Sequence, residues 1–100
     1  MRGVTPEDLP LPVLEASFRL GKLVAATRKL RGLSQQSLCE QAGMGRNTLV
    51  EIEHGSPRVQ FAYWLLALEA LDLLDTLNSV QSAAEMGQLA DALPRPRRPA

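Results

Sequence analysis

The stretch from Ser34 to Gly55 leaves this chain little choice of architecture. Glycines at 43, 45 and 55 confine any helices here to two short segments, Ser34 to Ala42 and Arg46 to His54. Leu38 and Ala42 lie four apart and Leu49 and Ile52 three apart, so each segment carries one apolar face. Ser34 is a residue type that caps a helix N-terminus, and Gly43 accepts the positive φ that a sharp turn after the first segment demands. Two helices meeting at a steep angle need a small residue where their backbones approach, and Cys39 stands there. With Met44, these apolar positions close one shared core.

The flanking sequence extends the helical pattern. Leu20, Leu23, Val24 and Thr27 recur at helical spacing in a segment running from Val13 until Gly32 stops it. After a Ser56-Pro57-Arg58 loop, Phe61, Trp64, Leu65, Leu68 and Leu71 follow the same period, predicting a fourth helix from Gln60 to Leu71. Asp72 is then expected to cap a fifth helix through Leu73, Leu74, Leu77 and Val80. Only four residues are aromatic, Leu and Ala recur throughout and β-branched runs are missing, so the fold class is all-α, with five helices in one domain. The expected organisation is a Pro-rich leader over 1–12, a folded domain over 13–80, a weaker Ala-rich helical extension over 81–93 and a disordered Arg/Pro tail over 94–100.

Composition removes several function classes. One cysteine closes no internal disulfide, and with one histidine the chain offers no metal-ligand set, so no metal and no cofactor is expected. His54 and scattered carboxylates give no paired acid and base at a recognisable spacing, which argues against an enzyme. The longest apolar stretch, Phe61 to Leu71, is broken by Glu69 and falls short of the roughly 20 residues that span a bilayer. Pro6, Glu7, Asp8, Pro10 and Pro12 stand where a secretion signal would need an apolar run, so the expected location is the cytoplasm.

The formal net charge is zero, but the charge is unevenly placed. From Ser17 to Arg58 seven basic residues face three acids, while from Val59 to Leu93 there are five acids and no lysine or arginine. A chain polarised in this way can present one basic face to phosphates and keep its acidic part for another purpose. Ordinary solvated faces are the plainer reading of the same pattern.

The window QQSLCEQAGMGRNTLVEIEH, Gln35 to His54, together with Leu33, Ser34 and Gly55, resembles the helix-turn-helix of the Cro and lambda-repressor-like superfamily, in particular the XRE regulators. The resemblance covers roughly Leu20 to Leu77. It implies that Gln35, opening the second helix, hydrogen-bonds a DNA phosphate. Arg46, Asn47, Thr48 and Glu51 would form the outward face of a recognition helix lying in the major groove. The chemistry suits that role: Arg can grip guanine O6 and N7, Asn adenine N6 and N7, and Glu can accept from cytosine N4. Glu51 departs from the family's more usual neutral or basic side chain, and partnership with a nearby cation is an equal alternative. Gly45 departs from the usual Ser or Thr cap. Arg28 and Glu53 match positions where the family often ties the first helix to the third, and Arg58 falls in the loop that runs along the DNA backbone, as a phosphate contact or a solvated loop arginine. His54 is expected to meet the last carbonyls of its helix.

The fourth helix is apolar nearly all the way round, more than one core face requires. The surplus points to a homodimer, with Trp64, Leu68, Leu71 and Leu74 as its candidate contacts, or else to the core of a small domain. The phrase Ser56-Pro57-Arg58-Val59 and the Leu-rich step after it are similar to XRE antitoxins of the HipB kind. That likeness implies an autoregulating repressor of its own operon that also binds a kinase-like toxin. In the alternative it implies an antitoxin acting mainly by protein contact, with weak DNA binding. Arg95, Arg97 and Arg98 are either a flexible arm or a solvated tail.

Overall fold

The computed structural model describes residues 6–85 and residue 87. All its regular structure is helical among those residues: a 3-10 turn over Pro6–Asp8, then α1 (Leu11–Leu30), α2 (Gln35–Ala42), α3 (Arg46–Glu53), α4 (Phe61–Ala70) and α5 (Leu74–Glu85). The all-α expectation holds, with five helices.

The first helix starts earlier than its prolines suggest. Expected from Val13, α1 begins at Leu11 behind Pro10, and Pro12 sits inside its first turn. A proline there costs the helix nothing, because the first N–H groups have no intrahelical acceptor and the ring fixes a helical φ. The N–H groups of Val13 and Leu14 both reach back to the Pro10 carbonyl.

Four helices end in the same way, on a left-handed residue: Gly32, Gly43 and Gly55 as expected, and Asp72 at φ 58°. After α1, α3 and α4 an N–H reaches back five residues, Leu33 to Arg28, Ser56 to Glu51 and Leu73 to Leu68. Asp72 therefore terminates α4 and does not cap α5, which begins two residues later at Leu74. Its short polar side chain tolerates the left-handed region better than most, and its carboxylate accepts from Arg31 Nη1 at 3.0 Å. α5 runs from Leu74 to Glu85, across the boundary expected between the domain and its extension; residues 86 and 88–93 of that extension and the 94–100 tail lie outside the described residues, as do 1–5 of the leader.

α1 packs on α3, α2 on α3 and α4, and α4 on α5. The core they share is Val24, Leu38, Cys39, Leu49, Ile52, Trp64, Ala67, Leu68 and Leu71. Of the apolar positions that recur at helical spacing in α1, Val24 is fully buried and Leu23, next to it, is exposed. Where α1 crosses the end of α3 the backbones nearly touch. A Cβ on Gly21 would stand 2.5 Å from the Ile52 carbonyl oxygen, and one on Gly55 would stand 2.6 Å from the Phe18 Cα. The Ser17 hydroxyl donates to the Gly55 carbonyl at the same crossing.

Candidate nucleic-acid interface

The site is assembled from a tight turn and two short helices. Ser34 adopts an extended backbone and its Oγ accepts the Ser37 N–H, so the serine expected to cap α2 does so. At the other end Gly43, at φ 74°, lets both its own N–H and that of Met44 bond the Cys39 carbonyl. The chain then turns through Gly45 into α3. Gly45 offers α3 no side-chain cap, a loss of only a few tenths of a kcal/mol against a good cap. Leu38, Ala42, Leu49 and Ile52 are buried and Met44 packs against them, which fixes α2 and α3 to each other.

A polar clamp holds the inner side of this unit. Arg28 Nε donates to Glu53 Oε2 at 2.6 Å and its Nη2 to Oε1 at 3.1 Å, while Nη1 donates to the Leu33 carbonyl. The expected tie between α1 and the end of α3 is therefore present and also grips the α1–α2 turn. Gln35 joins it: its Nε2 donates to Glu53 Oε1 at 3.1 Å. The side chain expected on a phosphate is thus turned inward, because the Glu53 carboxylate offers a largely buried anionic acceptor within reach of the first turn of α2.

With Leu49 and Ile52 pointing inward, the opposite arc of α3 faces solvent. Arg46, Asn47 and Glu51 are exposed and Thr48 is half-buried at its edge. His54, immediately after α3, is exposed as well. Arg58 is exposed in the following loop, which is held by the Arg58 N–H donating to Ser56 Oγ. Among the described residues Arg46 and Arg58 have no ion-pair partner; the pairs that form are Arg19–Glu15, Arg28–Glu53 and Arg31–Asp72. Among the described residues Glu51 likewise has no cation within pairing distance. The sequence reading passed over Val50, which shares the outward side of α3 and is half-buried. Its position four residues after Arg46 was the available signal. Beneath the helix, burial pushes the Cys39 thiol up from its ordinary pKa, with the nearby Arg46 charge pulling the other way.

The surface expected to receive a second copy is built differently. Trp64, Leu68 and Leu71 are 6%, 5% and 0% exposed and belong to the chain's own core, and Leu74 is half-buried and packed against it. These four are needed inside because α2 and α3 are too short to enclose a core without α4. The apolar surplus of α4 is Phe61, 70% exposed at the first residue of the helix, and Leu65 and Leu66, half-buried and outside the core cluster.

No metal-binding cluster of His, Cys, Asp or Glu occurs among the described residues, and no described helix is long and apolar enough to cross a membrane. A family model described as a helix-turn-helix domain matches residues 19–79, the span from the middle of α1 into α5. No curated protein and no solved structure matches the chain.

Proposed function

The chain belongs to the helix-turn-helix domain family, and from that premise we propose that it is a non-enzymatic, sequence-specific transcriptional repressor that acts in the cytoplasm and binds an inverted-repeat operator as a homodimer. The observation that carries this reading is the outward arc of α3. Arg46, Asn47 and Glu51 stand exposed and unpaired on a helix whose inner side is fixed by Leu49, Ile52 and the Arg28–Glu53 clamp. Rigid presentation of hydrogen-bonding side chains is what base reading in the major groove requires. Thr48 stands at the edge of the arc. Arg58, unpaired in the loop after α3, is suited to a phosphate, and such contacts set register without reading sequence. Gln35 contributes from the first turn of α2, whose leading N–H groups lack intrahelical acceptors; its amide reaches a phosphate by exchanging Glu53 for it.

The reading is tested by fluorescence anisotropy against DNA from the protein's own upstream region at two salt concentrations, alongside an Arg46→Ala, Asn47→Ala double variant. Specific binding that the variant loses supports it. Equal, weak and strongly salt-dependent binding by both proteins refutes sequence reading by α3.

Dimerisation is assigned to the exposed side of α4 and α5, at Phe61, Leu65, Leu66 and Leu77, in place of the core residues Trp64, Leu68 and Leu71. Two half-sites one helical turn apart match a two-fold protein. A monomer mass by light scattering at high micromolar concentration overturns the dimer. The same exposed apolar side, next to the acids Glu69 and Asp75, favours a second reading, an antitoxin that engages a kinase-like toxin by protein contact. Failure of any such partner to copurify from the native operon counts against it.

A further inference from the structure

We propose that Val50 reads the methyl group of a thymine in the major groove, between the base edges reached by Arg46 and Asn47. The inference rests on the DNA-reading role of α3 and deepens it by naming one group in the operator.

Three observations carry it. At about 100° of rotation per residue, Val50 projects about 40° from Arg46 and about 60° from Asn47, inside the arc between them. Both of those neighbours are exposed, while the completely buried Leu49 and Ile52 lie about 100° and about 160° round the helix from Val50. Val50 itself is half-buried, yet it does not join the side chains packed against the core cluster, as Met44, Leu33 and Val59 do.

A β-branched residue is a weaker helix former than Ala or Leu, since its χ1 is restricted by the preceding turn. Val50 stands outside the core cluster, where packing would offset that cost. Its stiffness becomes useful where two methyl groups must be held at a fixed place between two polar readers. The major groove displays one apolar group among its donors and acceptors, the C5 methyl of thymine. A valine flanked by an arginine and an asparagine is complementary to a thymine flanked by bases that offer hydrogen bonds.

The test selects preferred sites for the full chain from a random duplex pool. Each thymine of the selected half-site is then replaced by deoxyuridine, which removes the methyl and leaves base pairing unchanged. Anisotropy titrations are run with the wild type and with Val50→Ala. One position should weaken wild-type binding about fourfold per half-site, the magnitude of one buried methyl group, and the same replacement should leave Val50→Ala unaffected. A wild-type series with no sensitive thymine overturns the inference and decides it even if the variant folds poorly. A well-folded Val50→Ala that keeps the full sensitivity overturns it too. Selection that returns no preferred sequence overturns the repressor reading itself, which separates the two failures.

Discussion

Arg28 and Glu53 join the two ends of the recognition unit through a two-pronged ion pair whose side chains are 10% and 8% exposed, with the Arg28 third nitrogen spent on the Leu33 carbonyl. Four segments converge on this pair: α1, the α1–α2 turn, the first turn of α2 through Gln35, and the last residue of α3. The angle at which α3 is offered to DNA is therefore set from behind by charge and from within by Leu49 and Ile52.

Removing one partner leaves the other charge buried. Glu53→Gln is expected to lower stability by about 3–5 kcal/mol, because the guanidinium loses its counter-charge in a site that excludes most water. Urea unfolding reads this as a lower midpoint at unchanged slope. A double Arg28→Met, Glu53→Leu variant should recover much of the loss, since no charge is then stranded.

The crossing of α1 over the end of α3 admits no side chain. Gly21→Ala places a Cβ within 2.8 Å of three backbone atoms of Ile52 and Gly55, and backbone cannot swing aside as a flexible side chain does. A loss of about 1–3 kcal/mol is expected from overpacking of this kind. Gly45→Ser, where a Cβ meets nothing and the hydroxyl can cap α3, should bring no such loss, and thermal melts of the two variants side by side measure the difference.

Asp72 holds φ 58° at the end of α4, a conformation in which most side chains are strained. Asp72→Gly should match or exceed wild-type stability, and Asp72→Ala should fall below Asp72→Gly by about 1 kcal/mol. The ion pair with Arg31 is solvent-exposed on both sides and contributes little, about 0.2–1 kcal/mol. Arg31→Ala isolates that part of the effect.

Cys39 is buried, and burial raises its thiol pKa. A thiol reagent at neutral pH should leave the native protein unmodified and react fully after denaturation. Because the folded pKa lies above the unfolded one, this group favours the folded state fully below the unfolded thiol's value of about 8.5, and that contribution is lost as the pH rises through the folded pKa. Urea midpoints falling over that alkaline range in the wild type, and falling less in Cys39→Ala, check the sign.

Much of the recognition unit was legible in the sequence because local chemistry decides it. A serine ahead of an apolar period caps α2, and a glycine after each of three periods ends α1, α2 and α3, since each of these choices depends on a few neighbouring backbone atoms. Asp72 was misread because aspartate suits both a helix start and a left-handed end. What separates the two is whether α4 closes with the Leu73 N–H on the Leu68 carbonyl, a bond the sequence does not display. Pro12 was taken as a barrier because its place within the first turn depends on where the helix begins.

By itself the sequence determined the helical periods, their stops, and the outward residue types Arg46, Asn47 and Glu51, all set by spacing along one short helix. Only the tertiary structure decided what the apolar face of α4 would meet. α4 is apolar nearly all round, and its period marks Trp64, Leu68 and Leu71 as one face without saying whether that face meets this chain's own core or a second copy. Packing of α4 on α2 and α3 buries Trp64, Leu68 and Leu71 in this chain's own core, while Phe61 is left in solvent. The inward turn of Gln35 and the bare backbone contact at Gly21 were decided in the same way, by partners that stand 18 residues from Gln35 and on a different helix from Gly21. Contacts of that kind are fixed by packing distance between elements, which no pattern within one element encodes.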